Sequence, residues 1–175
     1  VVLRTNGKPD ASTSGDSNTQ ILLGYLPLLL NPTAKRALVI GLGSGMTAQS
    51  VATFPVERLL VVEIEREVAN AARAFFGPWN GSVLEDPRVR VVVADGRNHL
   101  AATRDQYDVI VSEPSNPWIA GIGNLFTVEC YQAARKKLAP GGIFAQWIHT
   151  YAMAPEDLRM VLKTFAEVFP GVTLW

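Results

Sequence analysis

Residues 37–50 read ALVIGLGSGMTAQS, and the rest of the chain is arranged about them. Ala37-Leu38-Val39-Ile40 is a short apolar run that predicts a buried strand over 37–41. Gly41, Gly43 and Gly45 follow at alternate positions, and the pattern then turns helical over 45–54. Strand, glycine turn and helix start together make a nucleotide cradle. The glycines permit a tight turn and the close approach of a ligand, and the helix start adds unpaired N–H groups and partial positive charge. Leu59 to Val62 predicts the next parallel strand. Glu63 closes it, about twenty residues after Gly43, where a carboxylate accepts both hydroxyl hydrogens of a ribose. The dinucleotide pattern G-x-G-x-x-G is not met, because Met46 takes its sixth position. GxGxG with an acid ending the second strand suits an S-adenosyl nucleoside better than NAD.

Outward from this unit, strands and helices alternate. Strands are predicted at 58–63, 89–94, 107–112 and 142–148, and helices at 65–76, 96–103, 124–138 and 155–168. The strands are apolar without alternation, as expected when helices cover both faces of a sheet. A β-α-β series implies a parallel sheet with right-handed crossovers, an α/β Rossmann-like fold. Before it, Val1 to Arg4 predicts a strand, 5–18 a loop rich in Gly, Ser, Thr, Asp, Asn and Pro, and Thr19 to Leu30 a helix with Pro27 near its end. Residues 1–18 thus form an N-terminal strand and loop, and 19–175 the nucleoside-binding domain. Val172 to Trp175 gives only the start of a sixth strand, so the last strands of the sheet are missing or truncated.

The chain has 175 residues, 48% hydrophobic and 18% charged, which fits one globular domain with a sizeable core. Sixteen basic and sixteen acidic residues cancel, giving no electrostatic reason to expect nucleic acid as a partner. A lone Cys130 offers neither an internal disulfide nor a cysteine metal cluster, and points to a reducing, cytoplasmic setting. The longest apolar run, Ile21 to Leu30, is too short to span a bilayer.

Ligands of open parallel sheets bind beyond the carboxyl ends of the strands, and the unusual residues gather there. Ala94-Asp95-Gly96 ends the third strand; Asp95 is a good helix cap, and its carboxylate also suits an adenine amino group. Glu113 ends the fourth strand and opens a loop stiffened by Pro114 and Pro117, and a carboxylate there is costly unless paired or used. Gln146 lies near the end of the fifth. Trp118, beyond Glu113, is the tryptophan best placed to touch a ligand. His99 and His149 are too far apart to suggest a metal pair, and Ser115 lacks a nucleophile elbow.

With these elements set out, the chain resembles the spermidine synthase family of polyamine aminopropyltransferases, from about Asn6 to Pro170. The resemblance runs through Leu26-Pro27, VIGLGSG, Val62-Glu63-Ile64-Glu65, Asp86-Pro87-Arg88-Val89, Ala94-Asp95-Gly96, Tyr107-Asp108-Val109-Ile110, the EPSNP loop, Leu125-Phe126 and Gly141-Gly142-Ile143 leading to Gln146. It implies a class I methyltransferase-like fold, decarboxylated S-adenosylmethionine as cosubstrate, an amine acceptor such as putrescine, no metal, and a homodimer. It assigns Gly41, Gly43, Ser44 and Gly45 to the cofactor loop, Glu63 and Ile64 to the ribose, and Asp95 and Gly96 to the adenine. Glu113 corresponds to the acid that orients or deprotonates the amine, with Asn116, Trp118 and Gln146 on the substrate side. Three departures stand out. Ser44 takes the place of an aspartate, Asn116 that of the second loop acid, and Ile21 that of a common glutamate. Neutral Ser44 would admit the carboxylate of intact S-adenosylmethionine, so a methyltransferase is the second expectation. A non-catalytic nucleoside- or polyamine-binding domain of a larger membrane protein is the third.

Overall fold

The computed structural model describes residues 1–5, 7–151 and 153–175. The chain opens with an antiparallel hairpin, β1 (Val2–Thr5) and β2 (Lys8–Ser12), then α1 (Ser17–Leu30). Part of the expected loop is therefore a strand, and the helix starts two residues earlier than predicted; Asn6 lies outside the described residues. KPDAS reads as loop because Pro9 and Asp10 are poor strand formers. It forms a strand here because β1 pairs with it.

Five parallel strands follow: β3 (Arg36–Ile40), β4 (Arg58–Glu63), β5 (Val89–Val93), β6 (Tyr107–Ser112) and β7 (Leu138–Gln146), in the order β5-β4-β3-β6-β7. The connecting helices are α2 (Met46–Ala52), α3 (Arg66–Phe75), the single turn α4 (Gly77–Asn80), α5 (Gly96–Ala102), α6 (Val128–Lys137) and α7 (Pro155–Val168). Alternate residues of β3 serve opposite layers. Ala37 and Val39 pack with Leu28, Val51 and Ala72 of α1 to α3, whereas Leu38 and Ile40 pack with Leu100, Cys130 and Ala134 of α5 and α6. That double burial explains why the strands read as continuous apolar runs.

Two expected elements change. The helix expected at 124–138 is a 3-10 turn, Ile122–Phe126, followed by α6, because the Thr127 hydroxyl accepts from the Cys130 amide at 3.3 Å and starts a new helix. The last strand begins earlier, at Leu138, and ends at Gln146. Residues 172–175 are exposed and outside any strand. Beyond α6, Tyr131, Phe144, Phe165 and Phe169 form an aromatic cluster; the Phe144 and Phe169 rings stack at 5.2 Å. Among the described residues no helix is long and apolar enough to cross a membrane.

The chain runs from β3 outward through β4 to β5, then returns to β6 on the other side of β3. Strand order reverses between β3 and β6, and a crevice opens at their carboxyl ends. The Glu113 amide donates to the Ile40 carbonyl at 2.8 Å, and the Gly41 amide to the Val62 carbonyl at 2.9 Å, so the pairing runs one residue past each strand. Gly41 has φ +91°, and a Cβ there would lie 2.4 Å from the Glu113 carbonyl oxygen. Gly43, at φ +52°, has its nearest neighbour at 3.4 Å. Gly41→Ala is therefore expected to destabilise the protein by about 2–5 kcal/mol, from left-handed strain plus overpacking. Gly43→Ala is expected to cost about 1 kcal/mol. Urea unfolding of both checks this, and equal losses would show that the Glu113 loop yields to the new methyl group.

Candidate active site

A cavity of about 590 Å³ occupies the crevice. Its walls come from the ends of β3, β4 and β6, the start of α5, the segment after β7, and a cover made by β2 and the start of α1. Of the residues expected from sequence, Gly41, Gly43, Glu63, Ile64, Asp95, Gly96 and Glu113 line it.

Glu63 is 6% exposed, and both its oxygens already hold backbone donors. Oε2 accepts from the Leu42 amide at 2.8 Å and Oε1 from the Glu65 amide at 2.9 Å. This ties the glycine turn to the end of β4, and each oxygen keeps further lone-pair capacity for a ligand hydroxyl. Asp95 caps α5 through Oδ1, which accepts from the Asn98 amide at 2.8 Å. Glu113 carries the strongest electrostatic signal. Its Oε2 is buried and has no hydrogen-bond partner among the described residues. Burial pushes its carboxyl up to about 8, the Thr47 side chain opposes this, and the nearby Asp16 and Glu63 add to it.

Five expected site residues sit off the cavity wall. Ser44 is 0% exposed, and its hydroxyl donates to Gln20 Oε1 on α1 at 2.5 Å. It therefore faces α1, and the inference that its neutrality admits a ligand carboxylate lapses. Gly45 faces Asn80, whose amide donates to the Ser44 carbonyl at 2.8 Å. Asn116 is fully buried and donates to the Tyr151 hydroxyl at 3.1 Å. The Gln146 amide donates to the Ser112 and Trp147 carbonyls, at 3.3 and 2.9 Å. Trp118 is 47% exposed and packs edge-on to Tyr151, ring centres 6.0 Å apart. Asn116 and Gln146 thus shape the loops behind the wall.

Other wall residues were not singled out by the motifs. Asp10 and Asp16 come from the hairpin and the start of α1. Asp10 accepts from Lys8 Nζ at 2.9 Å and from the Ser115 hydroxyl at 2.8 Å, clasping the hairpin to the loop after Glu113. Burial raises the Asp10 carboxyl, but hydrogen bonds from Thr5, Lys8 and Ser115 outweigh it and hold it below its ordinary value. After β7, the alternate residues Trp147, His149 and Tyr151 face the cavity, while Ile148 packs into the aromatic cluster. That period of two is visible in WIHTY and is the signal that could have found them.

The geometry is a glycine turn at the end of β3 with a cluster of acids beside it, and the comparisons with known proteins bear on it directly. The family model for the spermine/spermidine synthase domain matches residues 18–174. The chain belongs to the spermine/spermidine synthase family. Polyamine aminopropyltransferase 1 of Pseudomonas aeruginosa is 35% identical over 140 residues, 79% of this chain and 48% of that protein. The polyamine aminopropyltransferase of Bacillus subtilis is 32% identical over 155 residues, 88% of this chain and 55% of that protein. The chain thus spans about half the length of these relatives. A crystal structure of spermidine synthase in complex with the transition-state analogue AdoDATO superposes with TM-score 0.89 at 26% identity, covering 97% of this chain and 58% of that one. The spermidine synthase of Thermotoga maritima gives 0.86, also at 26% identity, over 97% of this chain and 57% of that one. The fold is the class I methyltransferase-like fold expected from sequence.

Proposed function

We propose that this domain transfers an aminopropyl group from decarboxylated S-adenosylmethionine to the nitrogen of a polyamine-type amine. One observation carries the reading: the Glu113 carboxyl, with Oε2 unpaired and its pKa raised to about 8, stands just past the end of β6 in a cavity that Glu63 also lines. A carboxylate with that affinity for protons is matched to accepting one from an amine near neutral pH. The relatives named polyamine aminopropyltransferase support the same chemistry.

In this reading Glu63 receives the ribose hydroxyls and the free oxygen of Asp95 receives the adenine amino group. The amine nitrogen forms a bond to the carbon beside the sulfonium, the carbon–sulfur bond breaks, and its electron pair leaves sulfur as a neutral thioether. Glu113 holds the amine in line and takes the proton it releases.

The wall also favours the decarboxylated cosubstrate. Asp10, Asp16, Glu63, Glu65 and Asp95, joined by Glu113 once it ionises, line it against the guanidinium of Arg97. Such a wall attracts a sulfonium and an ammonium and opposes an added carboxylate. Calorimetry is expected to give at least about tenfold tighter binding of decarboxylated than of intact S-adenosylmethionine, a gap of about 1.4 kcal/mol. Methylthioadenosine is expected to accumulate when an amine is added. Equal or tighter binding of the intact form, with transfer of its labelled methyl group, would replace this reading with methyl transfer.

A further inference from the structure

The side of the cavity beyond Glu113 carries a donor whose hydrogen bond is unused. Trp147 Nε1–H lies 3.1 Å from His149 Nε2. An indole N–H only donates, so Nε2 accepts, and the neutral imidazole carries its proton on Nδ1. Burial, assisted by Lys8 and opposed by Asp10 and Asp16, lowers the imidazole to about 4, so the ring is neutral at pH 7. Nδ1 is buried and has no partner among the described residues, although His149 lines the cavity. The ring is further held edge-on between Trp147 and Tyr151, with ring centres at 5.5 and 5.3 Å. The structure therefore gives a residue of the wall an oriented imidazole whose Nδ1–H is enclosed and unused.

A buried donor left unpaired is costly, so a matching acceptor is expected on the ligand. An ammonium cannot accept a hydrogen bond, and the neutral amine nitrogen needs its lone pair for the attack on carbon. A carboxylate accepts, but the Lys8 charge that acts on His149 is already paired with Asp10 at 2.9 Å, which leaves Asp16 and the other acids of the wall to oppose an anion. A hydroxyl meets both demands, because it accepts from Nδ1–H and donates to a carboxylate. Resting on the aminopropyl-transfer reading, we infer that His149, oriented by Trp147, is a specificity residue that selects an amine acceptor bearing a hydroxyl group over the plain diamine of equal length.

The test is calorimetry of the protein saturated with methylthioadenosine, titrated with 1,4-diaminobutane and with 1,4-diamino-2-butanol. One net hydrogen bond predicts about fivefold tighter binding of the hydroxylated amine. The ratio is expected to fall to near one in His149→Phe. It is expected to fall partway in Trp147→Phe, where the ring is free to move its proton to Nε2; this variant carries the test if His149→Phe does not fold. Equal affinities in the parent protein, or a preference that survives His149→Phe, would overturn the inference, the first by leaving Nδ1–H to an enclosed water. Turnover with decarboxylated S-adenosylmethionine is measured on the same samples. A binding preference without turnover removes aminopropyl transfer and keeps the role of His149. Turnover without a preference does the reverse, and binding of neither amine overturns both.

Discussion

Glu113→Gln is expected to lower kcat/KM for amine transfer by about 10²–10⁴, with nucleoside affinity changed by less than about threefold. Glutamine keeps the shape of the side chain and loses the ability to take a proton. Glu113 follows β6 and Glu63 ends β4, so the hydrogen bonds proposed for the ribose do not run through Glu113, and methylthioadenosine, which has no sulfonium, loses no attraction to its charge. Transfer assays and calorimetry with methylthioadenosine check the two halves. Unchanged turnover would remove Glu113 from the chemistry, and a parallel collapse of nucleoside binding would make it a scaffold residue.

The same substitution has a stability signature. Glu113 is raised from 4.5 to about 8, so between those values the folded chain holds a proton that the unfolded chain has released. Stability of the ligand-free protein therefore falls as pH rises through that window and levels off above about 8. His149 acts oppositely. Lowered from 6.5 to about 4, it makes stability fall as pH drops through that range. From pH 6.5 to 8 Glu113 acts alone of the two. Thermal unfolding of the parent is expected to drop across that interval, whereas Glu113→Gln shows a flatter profile and the higher Tm at pH 8.5. The proposed transfer activity is expected to run the other way, with kcat/KM rising as the carboxyl ionises toward about 8. A bound sulfonium favours the ionised form and moves the rise in kcat to lower pH.

The sheet was legible because its strands are buried on both faces and have to be apolar throughout. Glu63, Asp95 and Glu113 were legible because each lies at the end of a strand or within two residues beyond it, where the strand direction carries the side chain toward the crevice. Ser44 was misplaced for the same kind of reason in reverse. It sits among glycines with left-handed φ, and the turn they make carries its hydroxyl round to Gln20. Sequence spacing shows that a turn exists and not which way each side chain leaves it. The acids of the cover were hidden by composition. Asp10 and Asp16 sit in a polar stretch that reads as a linker, and only the pairing of β1 with β2 and the clasp of Asp10 to Ser115 bring them over the site. Asn116 and Trp118 belong to a loop whose packing on Tyr151 is settled by contacts from distant parts of the chain.

Glu63→Ala is expected to weaken nucleoside binding by about 10²–10⁴, because two hydrogen bonds to a charged acceptor are lost at about 1.5–3 kcal/mol each. The ribose hydroxyls are only part of the effect. In the free protein Glu63 already pairs the Leu42 and Glu65 amides, and removing it leaves the Leu42 N–H buried without its acceptor. Fold stability is expected to fall by about 2–4 kcal/mol for that reason. Glu63→Gln tests the pairing more finely. An amide group accepts on one side only, so either the Leu42 or the Glu65 N–H meets an NH₂, and the glycine turn loses one anchor. This nominally conservative change is therefore expected to behave nearer to alanine than to the parent, in both calorimetry with methylthioadenosine and urea unfolding. If Glu63→Gln kept full stability and lost only nucleoside affinity, the backbone bonds would be incidental and the ribose the sole use of the carboxylate. If it kept affinity as well, the cradle would lie elsewhere in the cavity.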